Sequence, residues 1–298
     1  MTLLIITDAL IDGEGDGFAL HPALAPIRER CTRMRRQWFA CADNNPLGWY
    51  AALVETGPAA LLAARCPDIT ASVRQAWVAS PFHAMLGRDT VRLLPEADFP
   101  WSADDADWLA GELNPLLAEE GMHLHACGAA LILTCDEPLN AAPAPFASIA
   151  GRFLPNRHPE GADGGRMMRL LAEIQMFMHN RPQPTREGYP PMTGLWLWGA
   201  CDMPAPIPVS LLPVESPDPC LQSFEHAHGA PLMVCQAAQI DALVAPGRPP
   251  KHVLLAGAGH AVLLHRSLIP SFSRGWKAKL PGCESDLLHH LRNIAHAS

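Results

Sequence analysis

GRFLPNRHPEGADGG (residues 151–165), MMRLLAEIQMFMH (167–179) and RPQPTREGYPPMTGLWLWGACDMP (181–204) follow one another almost without a break. They order a Gly-rich polar loop, an amphipathic helix, a Pro-rich turn and a strand studded with tryptophan. Met167, Leu170, Leu171, Ile174, Phe177 and Met178 recur at the three-four spacing that gives a helix one buried face, which predicts a helix over residues 166–179. Leu195 to Trp198 is apolar on both faces and predicts a strand in the middle of its sheet. Trp196 and Trp198 read as core, because Leu195 and Leu197 fill the opposite face.

Working outward, TLLIIT at residues 2–7 reads as a buried first strand, with Asp8 at its carboxyl end, where open α/β sheets place ligands. Residues 22–36 read as a helix with Leu24, Ile27, Cys31 and Met34 on one face. Residues 46–64 read as two short helices split at Gly57-Pro58. A strand is expected at 90–94 and a helix at 101–119, capped by Ser102 and ended by Gly121. Residues 122–135 suggest a hairpin around Cys127-Gly128, and 253–265 two strands joined through Gly257-Ala258-Gly259. A helix closes the chain at 284–296, and residues 204–219 read as a long irregular segment. Strands and helices alternate, which predicts one mixed α/β domain over residues 1–298, with residues 77–204 as a candidate subdomain.

Composition narrows the classes. The 298 residues are 49% hydrophobic and 17% charged, an ordinary globular balance able to bury a sizeable core. The net charge of −8 argues against a nucleic-acid partner, which is held by neutralising phosphates. No apolar run is long enough to span a bilayer, so no membrane partner is expected. The opening MTLLIITD has no basic segment, and no secretory signal is expected. Nine cysteines without any Cys-x-x-Cys suit reduced, mostly buried thiols, and a bacterial cytoplasmic location is expected.

Several local patterns invite chemistry. DGEGDG at 12–17 fails the calcium-loop pattern at its third and twelfth positions and reads as a solvated turn. AGAGHAV at 256–262 lacks the third glycine and the following helix of a dinucleotide fingerprint, and reads as a hairpin turn. His123/His125 and His226/His228 could each supply two metal ligands, without a third at zinc spacing. Arg28, Arg30, Arg33, Arg35 and Arg36 read as a solvated basic face. Arg152, Arg157, Arg166, Arg181 and Arg186 surround the opening block, and guanidinium groups suit planar recognition of phosphate or carboxylate. There is no G-x-S-x-G elbow and no P-loop lysine motif.

Five pieces taken together resemble one family. They are ASPFHAMLGRDTVRLL (79–94), ELNPLLAEEGMHLHA (112–126), the Gly151-Arg152 loop, EIQMFMH (173–179) and above all GLWLWG (194–199). The combination resembles the RpfE-type family of bacterial proteins, named as regulatory. That family is distantly similar to cofactor-independent phosphoglycerate mutases of the archaeal type, in the alkaline phosphatase superfamily. The resemblance covers residues 77–204, under half of the chain. It implies a reduced phosphoglycerate-mutase-like architecture, a mixed sheet flanked by helices. It also implies phosphoenzyme chemistry on a Ser or Thr nucleophile, with two divalent ions about 4 Å apart.

The departures bear on that chemistry. Family members carry His-Pro-Val-Asn before an Arg and Pro-Val-Asn before the Trp strand; here Arg181-Pro182-Gln183-Pro184 and Pro191-Met192-Thr193 stand instead, while Arg186 is kept. Asp8 occupies the place of one metal ligand and His260 is a lone second candidate, so the catalytic apparatus reads as lost and no cofactor is expected. The expected role is regulation or the binding of a small phosphorylated or carboxylate metabolite. The ligand-binding set is Arg152, Glu173, Gln175, His179, Arg181 and Arg186, with Arg152 and Arg186 on the anion. Two alternatives follow: an active phosphoglycerate mutase or phosphatase in which Asp8, Asp12, His260 and one of the early Thr residues converge with divalent metal, or a protein-interaction module that docks a protein partner through residues 204–219.

Overall fold

The structure, a computed structural model, describes residues 3–13, 17–41, 45–69, 73–87, 90–94, 99, 101–154, 158–184, 189–203, 211–222, 224, 231–242, 250–266, 276 and 281–296. It divides into two compact units, Met1–Glu55 with Val209–Ser298, and Thr56–Pro208. Elements are numbered along the chain.

The first unit holds β1 (Leu3–Thr7), β2 (Leu10–Asp12), β3 (Phe18–Leu20), α1 (Ala25–Arg33), β4 (Arg35–Ala40) and α2 (Pro46–Leu53). The second contains α3 (Pro58–Ala63), β5 (Gln75–Phe82), β6 (Ala84–Leu86), β7 (Val91–Leu93), α4 (Ala103–Leu117), β8 (Met122–Cys127), β9 (Ala130–Cys135), α5 (Phe146–Ile149), α6 (Gly164–His179) and β10 (Gly194–Asp202). The chain then returns to the first unit for β11 (Val214–Glu215), α7 (Pro219–Gln222), β12 (Leu232–Gln236), β13 (His252–Gly257), β14 (His260–His265) and α8 (Glu284–His296).

In the first unit six strands form a mixed sheet in the order β11-β12-β1-β13-β14-β4. β1 lies parallel to both β12 and β13, and all five of its residues are buried, as an apolar run covered on both faces requires. The Gly257-Ala258-Gly259 segment turns β13 back on β14 as a hairpin, with positive φ at all three residues. Gly257 is needed there, because a Cβ would run into the Leu10 carbonyl. No helix follows, so the dinucleotide reading is closed. Leu24, Ile27, Cys31 and Met34 are buried together as their spacing predicts. The helix, however, stops at Arg33, and Arg35 and Arg36 enter β4, which pairs with β14. Periodicity carried the prediction too far because strand pairing is a long-range term that a local window does not contain.

In the second unit four strands, all antiparallel, form a sheet in the order β10-β5-β9-β8. The double-Trp strand β10 therefore lies at the sheet's end, not in its middle. Gly194 to Trp198 are nevertheless all buried, because helices α3, α5 and α6 pack against β10. Burial on both faces identifies a covered strand, and cover came from helices instead of a second strand neighbour. Trp196 and Trp198 are core, 2% and 3% exposed, with their indole N–H groups donating to the Ala144 carbonyl and the Ser80 hydroxyl. α4 begins with the expected Ser102 cap, completed as a capping box by Asp105, and Gly121 ends the following turn with φ 67°.

Three side-chain amides in this unit act as one-residue strand partners. Gln75 bonds both the N–H and the carbonyl of Leu139, Asn114 those of Leu124, and Gln183 those of Met192. Each satisfies two backbone groups that no ladder reaches. Cys66 and Cys127 are joined as a disulfide, with Cα atoms 5.7 Å apart, so the expectation that all thiols are reduced is corrected for this pair. They are 61 residues apart in sequence and carry no spacing motif that would have revealed them. Burial pushes the thiols of Cys135 and Cys235 up to about 12 and those of Cys31 and Cys201 to about 11, which keeps them protonated. No helix among the described residues is long and apolar enough to cross a membrane.

Candidate functional site

The second unit carries a pocket of about 590 Å³ where α6, the Pro-rich loop after it and the β6–β7 ribbon meet. α6 builds one wall. Met167, Leu170, Leu171, Ile174 and Met178 sink into the core, which turns Gln175 and His179 towards the pocket. Gly194, the first residue of β10, permits this packing. A Cβ there would stand 2.6 Å from Phe82 Cζ and 2.9 Å from Gln175 Cγ. The lining also includes Leu86, Val91, Leu154 and Tyr189 and the run Pro190, Pro191 and Met192.

The loop is strapped in place by polar contacts. Thr193 Oγ1 accepts from the Ala84 N–H at 2.6 Å, His83 Nδ1 lies 2.7 Å from the Pro191 carbonyl, and the Gln183 amide takes both backbone groups of Met192 at 2.9 and 2.7 Å. Gln183 thus spends its amide on the loop itself.

Arg181 supplies the cation of the pocket. Its guanidinium lies over the Phe177 ring, 4.7 Å from the centroid, and 3.8 Å from a Glu112 carboxylate oxygen. The side chain is half exposed, so this loose pairing leaves most of its donors facing water. The carboxyl end of α6 points at the same place and would repel an anion. That field is reduced because its last carbonyls are already occupied. Met176 accepts from Asn180 Nδ2, Phe177 from the Asn180 N–H, and Met178 from the Arg181 N–H. The balance at this corner is one part-screened positive charge beside an imidazole.

The expected ligand set is brought together only in part. Gln175, His179 and Arg181 line the pocket. Glu173 is exposed on α6 and Arg152 is exposed on the loop after α5, and neither is a lining residue. The backbone of Arg152 is structural, accepting from the Leu93 N–H and donating to Ile149. Arg186 and Arg157 lie outside the described residues. Leu86, Val91, Leu154 and Tyr189 escaped the sequence reading. Leu86 and Val91 fall in one family-like segment, but Leu154 and Tyr189 fall in none, and the four are distant in sequence and share no periodicity.

In the first unit the carboxyl ends of the parallel strands carry the other candidates. Asp8 follows β1 in the left-handed region, φ 53°, and its neighbour Ala9 donates to Ala256 on β13. Asp tolerates that conformation better than most residues. His260 opens β14 on the other side of β13. Its Nδ1 lies 3.1 Å from the Ala258 carbonyl, and its ring centroid lies 4.8 Å from that of Phe18. Asn45 caps α2 with its side chain, accepting from Leu47 and Gly48. Among the described residues no three His, Cys, Asp or Glu side chains gather to hold a metal ion. His123 and His125 do share one face of β8, rings 4.6 Å apart, but contact Asn114 and Thr134. His226 and His228 are outside the described residues, as is the middle of the 12–17 turn.

Compared with known families and with curated proteins, the chain matches none. Among solved structures it is similar to the cofactor-independent phosphoglycerate mutase from Thermoplasma acidophilum DSM 1728. The match covers 99% of each chain at 12% identity and a TM-score of 0.36. A superposition that loose decides no question of activity.

A two-ion phosphoryl-transfer centre needs several carboxylate and imidazole ligands within reach of both ions. The described residues do not fit one: Asp8, just after β1, and His260, at the start of β14, are lone candidates, and no three His, Cys, Asp or Glu side chains gather among the described residues.

Proposed function

We propose that the chain is a phosphoglycerate-mutase-like protein of the RpfE type that transfers no phosphoryl group and works by binding a small organic anion, phosphorylated or carboxylate, in a cytoplasmic regulatory role. The observation that carries this reading is the convergence of Gln175, His179 and Arg181 on one preformed pocket. A concave, mostly apolar site with a few converging polar groups is the usual form of a small-molecule site. Arg152 and Arg186 were the expected anion contacts; Arg181 takes that role in this reading. That no three His, Cys, Asp or Glu side chains gather among the described residues supports the non-catalytic part.

Thermal-shift and calorimetric titration of the purified chain with phosphorylated three-carbon acids and simple carboxylates test it. A ligand at a hundred times its Kd stabilises the folded form by about 2.7 kcal/mol. Arg181→Ala is expected to lose that shift while unfolding within about 1 kcal/mol of the parent, because its ion pair is solvent-exposed. Shifts that are equal in Arg181→Ala and parent place binding elsewhere and end this reading.

One observation favours a second reading, a metal-dependent mutase or phosphatase. Asp8 is held at positive φ at the carboxyl end of a central strand, and strained residues cluster at active sites. Turnover of an aryl phosphate with manganese that disappears in Asp8→Ala would establish it.

A further inference from the structure

The lining of the second unit's pocket says more about its occupant than charge alone. Three polar groups face it unspent on the loop, Gln175, His179 and Arg181, and all three belong to the end of α6 and the residues just after it. Two further polar lining residues are committed: Gln183 to Met192, and Thr193 to Ala84 and Phe82. The remaining lining side chains are apolar apart from the Tyr189 hydroxyl, and Leu86 and the Tyr189 ring are large apolar surfaces on residues left 84% and 52% exposed. A three-carbon phosphorylated acid has nothing to place against those surfaces. Its hydroxyl and second anionic group would have to shed water onto Leu86, Val91 and Leu154 without a returned hydrogen bond, which is unfavourable. The volume, about 590 Å³, is also that of a site for a much larger ligand.

We infer that the pocket takes an amphipathic organic monoanion: one carboxylate-type head at Arg181 and His179, and an aliphatic or aromatic body of more than three carbons along Leu86, Val91, Leu154 and Tyr189. The inference rests on the anion reading above and narrows its ligand class. The polar end orients the ligand, and the apolar body supplies the affinity. Burying Leu86 and Tyr189 beneath that body also accounts for two large side chains otherwise left facing solvent.

The test is a homologous series of straight-chain carboxylates from three to eight carbons, titrated into the full chain by calorimetry below their micelle concentrations. Primary amides of the same lengths and a phosphorylated three-carbon acid run in parallel. Each methylene that enters the pocket is expected to tighten binding about three- to four-fold until the pocket is filled. The amides are expected to bind at least ten-fold more weakly than the matching carboxylates. Leu86→Ser, an uncharged change at an exposed position, is expected to weaken the eight-carbon acid several-fold more than the three-carbon acid. An affinity that is flat with chain length, with the phosphorylated acid binding tightly, overturns this inference and leaves the anion reading standing. Carboxylates and amides that bind alike overturn both the monoanion inference and the anion reading. So does a chain that binds none of the probes.

Discussion

Gln183 provides the sharpest check on how this site is held. Its amide accepts from the Met192 N–H at 2.9 Å and donates to the Met192 carbonyl at 2.7 Å, which ties the end of the Pro-rich loop to its beginning. Gln183→Met keeps the side-chain length and removes both bonds. Two hydrogen bonds at about 1 kcal/mol each give about 2 kcal/mol; leaving both Met192 groups dry would raise this towards about 4 kcal/mol. The Met192 side chain is 1% exposed, so its backbone does not reach water without moving the loop. The lower figure applies if the loop opens. The loss is local, so amide hydrogen exchange reports it better than global unfolding does. With about 1.4 kcal/mol per factor of ten, the Met192 amide is expected to exchange about thirty-fold faster in Gln183→Met, with the β5–β9 ladder unchanged. Anion affinity should fall as well, since Pro190, Pro191 and Met192 line the pocket. Exchange at Met192 as slow as in the parent would refute the idea that this amide holds the loop.

Gly194→Ala is expected to destabilise the second unit by about 1–3 kcal/mol, as overpacking does, and to displace Gln175, because the new methyl meets Phe82 and Gln175; denaturant unfolding and ligand titration read the two effects. Thiol labelling of the native chain should modify the exposed Cys283 first and spare Cys31, Cys135 and Cys235 until unfolding, since these are buried and held protonated. Reduction should release Cys66 and Cys127 and, for a loop of 61 residues, lower stability by up to about 4 kcal/mol on the chain-entropy account; an unchanged unfolding midpoint after reduction contradicts the bridge. Stability should also fall on mild acidification. Desolvation, reinforced by a neighbouring histidine in each case, lowers the folded pKa of His125, His252 and His265 below the ordinary 6.5. The unfolded chain therefore takes up protons first, so the stabilising contribution is complete above about pH 6.5 and is lost as pH falls through the lowered folded values. Urea midpoints that stay flat from pH 7.5 to 5 contradict this. So does a slope left undiminished by His252→Gln, which removes one of the three histidines and its 3.0 Å contact with His265.

Local physics was enough for α4, α6, the break between α2 and α3 and the β13–β14 hairpin. The apolar stripe of α6, the Ser102 cap, the Gly57-Pro58 break and the β13–β14 turn are all short-range consequences of side-chain spacing, capping and glycine conformation, and the chain carries them openly. β5 was different. QAWVASPF has little of the β-branched alternation of a strand, yet it is the strand to which β10 and β9 both pair. Its place depends on partners more than fifty residues away. The site divides along the same line. Gln175, His179 and Arg181 were readable, because a helix end and a Pro-rich loop near arginines mark a ligand-facing surface. Arg152 belongs to the same sequence pattern but is turned to solvent on the loop after α5. The apolar wall of Leu86, Val91, Leu154 and Tyr189 exists only once separate segments pack together. Spacing and capping determined from the sequence alone the core of α6, the start of α4 and the β13–β14 turn. Tertiary structure decided which strand lies at a sheet's end, which polar groups are already spent and what a pocket is lined with. Those outcomes depend on contacts between distant segments, whose energies no local window contains.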